Sequence, residues 1–167
     1  MLEAYLHAYV NGQEFVRNAS SRVVVGVDGS ATSLDAVRWA TREAVRRHAP
    51  LELVTSSLFA PGTYGDAISL RMGAFTDPDV EAKRVLTAAV DVAHKTAAGN
   101  SLILDTRLEH GSASRNLTHF EVAPAMLVVG SRGLGEFTGG LIGSVSTAVA
   151  THAKCPVAVI KSNIVSD

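Results

Sequence analysis

The chain has 167 residues, 47% hydrophobic and 19% charged, which suits one domain with a buried core and argues against wholesale disorder. Its 15 basic and 16 acidic residues leave a net charge of −1, so nothing general draws it to nucleic acid or an anionic membrane, and no apolar run approaches the ~20 residues of a membrane span. One cysteine, Cys155, excludes an internal disulfide and any CxxC site, and the six histidines show no HxH or HExxH spacing, so no metal site is predicted.

The first 21 residues stand apart as an N-terminal extension. Leu2, Tyr5, Leu6, Tyr9 and Val10 fall on one helical face that stops at Asn11-Gly12, which predicts a short helix packed on the domain or on a neighbour. The stretch lacks the basic start and continuous apolar run of a signal peptide. The expectation is therefore a soluble, cytoplasmic protein, in which the sequons at Asn18 and Asn116 are chance matches.

Residues 22–161 carry the main pattern. RVVVGV (22–27) reads as a strand. Leu34, Val37, Ala40 and Ala44 then recur every three or four residues, predicting a helix over 31–48, capped by Ser30 or Thr32 and followed by Pro50. LELVTSS (51–57) reads as the second strand. Residues 58–77 show no steady period and are expected to form a long, mobile connection. From Pro78, an apolar stripe of Ala82, Val85, Leu86, Ala89, Val92 and Ala93 predicts a helix that Gly99 stops. A strand over 101–111, a short helix through Ala113, Leu117 and Phe120, and the most apolar strand, 125–130, follow. After a glycine-rich loop come a helix with Val145, Ala148, Val149 and His152 on one face, the last strand at 156–161, and a tail over 162–167.

Strands alternating with helices imply parallel pairing, right-handed crossovers and a sheet covered on both faces. The predicted fold is a single doubly wound α/β domain with five parallel strands in the order 3-2-1-4-5. In that order strands 1 and 4 are neighbours at the switch point, where open α/β sheets receive ligands. The loop after strand 1, Asp28-Gly29-Ser30, would then face the loop after strand 4, Gly130 to Ser146.

That second loop holds six glycines, at 130, 133, 135, 139, 140 and 143, and ends at a predicted helix start. Glycines let backbone N–H groups approach phosphate oxygens, and the unpaired N–H groups of a helix start favour anions. The physical reading is an anion cradle, most plausibly for a nucleotide's phosphates. It is not a Walker A loop, because GGLIGSVS has no lysine, and G-x-G-x-x-G fails because Thr138 takes the last glycine's place.

Gly130, Gly133, Gly143 and Ser144 do match G-2x-G-9x-G-(S/T), and with the flanks RVVVGVDGSATSLDAVRWA and HAKCPVAVIK the chain resembles the ATP-binding universal stress protein family over about residues 22–161. The resemblance implies a flavodoxin-like sheet of the adenine nucleotide alpha hydrolase type, with an adenine nucleotide, ATP and optionally Mg2+, lying across strands 1 and 4. It implies that Asp28 bonds the ribose or adenine side, that Val27 and Val129 border the base, and that Thr55 or Ser56 lies near the adenine. Phosphate contacts would come from Gly130, Gly133, Gly143, Ser144, Val145 and Ser146, with Arg132 reaching the triphosphate; Glu136 places an opposing charge inside the loop. It also implies a homodimer through the last strand, Pro156 to Lys161.

One arginine, no lysine and no evident base favour binding over turnover, with at most weak ATP hydrolysis. The expected function is thus an ATP-binding regulatory module in stress response, with two alternatives: a slow ATPase or nucleotide-dependent enzyme on the same fold, or an interaction protein binding AMP or another anion.

Overall fold

A computed structural model describes residues 5–10, 13–57, 77–134 and 142–162, with backbone alone for those before Ser20. The predicted connection over 58–77 lies outside the described residues up to position 76. So do Gly135, Glu136, Gly139 and Gly140, and the tail beyond Ser162.

The N-terminal segment departs from the expected helix. Two strands, β1 (Tyr5–Val10) and β2 (Gln13–Asn18), pair antiparallel, with Val10 opposite Gln13. That register leaves only positions 11 and 12 between the paired ends, and Asn-Gly is a preferred two-residue connection of antiparallel strands. Tyr5, Tyr9, Phe15 and Val16 also suit strands better than helices. Over so short a segment the spacing of Leu2, Tyr5, Leu6 and Tyr9 is not enough to fix a helix.

The main sheet has five parallel strands, and the predicted order is observed. In chain order they are β3 (Val23–Gly26), β4 (Leu51–Ser57), β5 (Leu104–His110), β6 (Met126–Gly130) and β7 (Val157–Ile160), arranged β5-β4-β3-β6-β7. Val23 pairs with Leu51 on one side and Met126 on the other. β3 and β6 are thus adjacent, and the loops leaving them emerge side by side.

The central strands β3 and β6 read as continuous apolar runs because both faces are buried, whereas the edge strand β5, LDTRLEH, has no fully buried residue. Val23, Val25, Leu51, Leu53 and Val128 pack under α1 (Ala31–Arg47) and α2 (Pro78–Ala97). Those helices contribute mostly small side chains, among them Ala36, Ala40, Ala44, Ala89 and Ala93, so they lie close to the sheet. The opposite face carries Val24, Val54, Leu127 and Val129 under Leu117 of α3 (Ala113–Thr118) and Val149 of α4 (Ser144–His152). Each fully buried Val or Leu contributes about 1.5–3 kcal/mol. Beyond α3, Arg22 and Arg107 both form ion pairs with Glu52, at 2.8 and 2.9 Å, and both guanidiniums lie over the Phe120 ring at 5.6 and 5.4 Å. This cluster ties the end of α3 to the sheet. Among the described residues no helix is long and apolar enough to cross a membrane.

Ser30 caps α1, its hydroxyl accepting from the Ser33 N–H, and His48 closes the helix in the left-handed region. Within α1, Arg46 and then Arg47 hydrogen-bond Glu43 and hold its carboxyl at about 2, below the ordinary 4.5. A depressed carboxyl stabilises the fold above its unfolded-state value, and that contribution fades as pH falls from about 4.5 to about 2. Glu43→Gln should flatten the acid limb of stability by less than about 1 kcal/mol, because the pairing is solvent-screened. Thermal midpoints of both proteins, measured at intervals between neutral and acid pH, check this; parallel curves would count against it.

Candidate functional site

The site grows from the carboxyl ends of β3 and β6. After Gly26, the Val27 N–H donates to the Val54 carbonyl at 2.8 Å, carrying the chain one step past the strand. Asp28 then turns it into α1. Its Oδ1 accepts from the Ser30 N–H at 3.0 Å and the Ser30 hydroxyl at 2.6 Å, leaving Oδ2 outside this turn.

The loop after β6 is stitched at its base on three sides. The Ser131 N–H donates to the Ile160 carbonyl of β7 at 2.7 Å, and the Ser131 carbonyl accepts from the Gly143 N–H at 2.8 Å. The Arg132 carbonyl accepts from the Thr32 hydroxyl, with the Ser30 Oγ 3.4 Å away and its own hydrogen on Asp28. Thr32, one of the two expected caps, is used here instead. The Ser146 hydroxyl donates to the Gly130 carbonyl at 2.5 Å.

Two glycines are required by close approach. A Cβ on Gly130 would stand 2.7 Å from the Thr32 carbonyl carbon and 2.8 Å from the Ser33 nitrogen, both backbone atoms of the first turn of α1. One on Gly133 would stand 2.6 Å from Oδ2 of Asp28. Gly130 is therefore held by strand-to-helix packing, and Gly133 by the carboxylate facing it.

Gly143, not Ser144, occupies the cap position of α4, and no side chain bonds the helix start. The first intrahelical bond runs from the Thr147 N–H to the Gly143 carbonyl at 2.9 Å. The N–H groups of Ser144, Val145 and Ser146 thus have no acceptor within the helix. They form a cluster of fixed donors at the positive end of the helix dipole.

These parts enclose a cavity of about 270 Å3. All eleven residues singled out from the sequence line it: Val27, Asp28, Ser56, Val129, Gly130, Arg132, Gly133, Gly143, Ser144, Val145 and Ser146. Thr55, the alternative to Ser56, is buried at 4% exposure and does not line it. Gly26, Ser33, Val54, Ala113, Leu117 and Leu134 complete the wall and were not anticipated. Strand alternation could have found Val54, two residues before Ser56. Ala113 and Leu117 share one face of α3, and sequence alone does not say where that face lands. Among the described lining residues Asp28 and Arg132 are the only charged ones, and Arg132 is exposed. The cavity thus has an apolar end, at Gly26, Val54, Leu117 and Val129, and a donor-rich end at the start of α4.

Fold and site together define a doubly wound α/β protein with a cavity at its switch point, apolar at one end and lined by backbone donors at the other. The chain belongs to the universal stress protein family, whose model matches residues 20–161. A universal stress protein of Mycobacterium tuberculosis is 36% identical over 149 residues, covering 83% of this chain and 47% of the relative. The chain spans about half the length of the curated relatives it matches. A universal stress protein solved in complex with cAMP superposes with a TM-score of 0.60 at 31% identity, over 85% of this chain and 97% of that one. A universal stress protein from Archaeoglobus fulgidus, solved in complex with dAMP, gives 0.62 at 26% identity, over 86% of this chain and 99% of that one.

Gly130→Ala should lower unfolding stability by about 1–3 kcal/mol, because its neighbours are backbone atoms that cannot yield. Gly133→Ala, opposed by a side chain that can turn away, should cost less. Urea unfolding of both variants checks the order, and the reverse order would refute it.

Proposed function

We propose that the chain binds ATP at this cavity and acts as a nucleotide-binding regulatory module in stress response, in the cytoplasm. The observation that carries the reading is the convergence of the eleven residues on one cavity with an apolar end and an end of backbone donors. The adenine lies against Val27, Val129 and Ser56, the Asp28 side faces the ribose, and the phosphates rest on the first turn of α4. Relatives solved with cAMP and dAMP support an adenine nucleotide. Arg132 favours the triphosphate, since a guanidinium makes strong bonds to phosphate oxygens. Magnesium would be held chiefly by those oxygens, with Asp28 as the nearest carboxylate of the wall. Residues 22–161 form the binding domain, residues 1–21 an extension and 162–167 a tail. With Oδ1 of Asp28 already engaged by Ser30, and no second carboxylate in the described wall, the geometry supports binding rather than turnover.

Calorimetry with added ATP tests the reading, alongside a search for adenine nucleotide released when the purified protein is denatured. ATP should bind, and Arg132→Ala should weaken it about tenfold while weakening AMP less. Neither retained nor added nucleotide binding would overturn the proposal.

The same reading includes a homodimer through β7. The carbonyls of Pro156 and Ile160 accept from Leu127 and Ser131 of the β6 side, so those positions point inward and Val157 and Val159 point to the free edge. Val159→Pro removes an edge N–H and leaves the bonds to β6 intact. It should shift the protein from dimer to monomer in sedimentation with little change in thermal midpoint, and an unaltered dimer would count against this interface.

A further inference from the structure

Among the described residues, the apolar end of the cavity contains one side-chain polar group, the hydroxyl of Ser56. The other polar lining residues, Asp28, Ser33, Arg132, Ser144 and Ser146, belong to strand-end loops and helix starts. Ser56 sits beside Val54 of β4 and beneath α3, which supplies Ala113 and Leu117 to the same wall. From α3 the amide nitrogen of Asn116 reaches the Ser56 Oγ at 3.1 Å and the His110 carbonyl at 3.1 Å.

The second of these bonds fixes the direction of the first. A backbone carbonyl can only accept, so the group of Asn116 facing His110 is its NH2. The other hydrogen of that NH2 goes to Ser56, whose oxygen therefore accepts. The Ser56 hydroxyl hydrogen then has no acceptor among the described residues. Asn116 thus leaves Ser56 as a donor beside an apolar wall.

We propose that Asn116, acting through Ser56, is a positioning residue that presents a hydroxyl donor to a ring acceptor of the bound base and so selects an adenine-type base at N1. The inference rests on the adenine-nucleotide reading. With the phosphates on α4, the base enters the apolar end with its sugar-bearing ring outward, and the edge farthest from the sugar is the one carrying N1. Adenine N1 is an acceptor and meets the donor. Guanine offers N1–H there; accepting it would leave the Ser56 hydrogen without a partner in an apolar place, which is unfavourable. Asn116, one of the two sequons, is thereby given a role inside the fold.

The test compares ATP with 1-deaza-ATP, which has C–H in place of N1, by calorimetry on the full chain. The wild-type protein should bind ATP about tenfold more tightly than 1-deaza-ATP, the loss of about one hydrogen bond. Ser56→Ala should bring the ratio to about one. Asn116→Asp should do the same, because a carboxylate accepts where the amide donated and draws the Ser56 hydrogen away from the cavity. General damage to the wall would weaken both ligands equally and leave the ratio, so the ratio separates positioning from structure. Should Asn116→Asp fail to fold, judged by its thermal melt, Ser56→Ala still decides whether the hydroxyl reads N1. A wild-type ratio near one, or a tenfold ratio that persists in Ser56→Ala or in folded Asn116→Asp, overturns the inference and leaves ATP binding standing. Failure of the wild-type chain to bind ATP at all overturns both.

Discussion

The backbone of Gly130, at the end of β6, lies against the first turn of α1 with no room for a side chain between them. Much of the site depends on that contact. It brings the loop after β6 within reach of Thr32, whose hydroxyl donates to the Arg132 carbonyl. It also sets Gly133 against Asp28, so the two strand-end loops close on each other across the switch point. A parallel sheet with β3 and β6 adjacent makes this approach possible, and the small side chains along α1 let the helix come near enough to complete it.

Glycine spacing therefore carries two meanings in this chain. Read along the sequence, Gly130, Gly133 and Gly143 look alike, as positions kept bare for a ligand. In the fold, Gly130 is bare because of α1 and Gly133 because of Asp28, while at Gly143, the cap of α4, a Cβ would lie at an ordinary 3.4 Å from the Arg132 Cα. All three line the cavity, yet two of them meet a protein neighbour before any ligand is considered. The motif encodes the shape of a loop base, and donors at the helix start follow from that shape.

Such a distinction marks what could be read from the sequence. The parallel, doubly covered sheet was legible because strand-length runs alternate with helical stripes, whereas the order of its strands came with the family resemblance. The eleven wall residues were legible because a family resemblance supplied register for short loops whose ends the strands already fixed. Ala113 and Leu117 were not, since their place depends on how α3 lies across the sheet, a tertiary fact with no local signal. Asn116 was read as a chance sequon because its partners, Ser56 and the His110 carbonyl, are brought to it by two different strands. The antiparallel pair at the N-terminus was missed because apolar residues in a segment of that length satisfy helical and alternating patterns alike.

On the proposed reading, Ser131 is the residue through which the nucleotide and the dimer edge meet. Its carbonyl holds Gly143, at the start of the donor turn, and its N–H holds Ile160 in β7. A ligand held on the turn that begins at Gly143 acts on the same residue that sets the end of the edge strand. Any free energy by which occupancy favours one arrangement of β7 must be returned in full when pairing of β7 favours occupancy, because linkage between two binding events is reciprocal. The donors of α4 are backbone N–H groups, which do not titrate. A coupling through Ser131 would accordingly respond to nucleotide level and to protein concentration, and only weakly to pH, which is the behaviour expected of a module that reports on nucleotide supply.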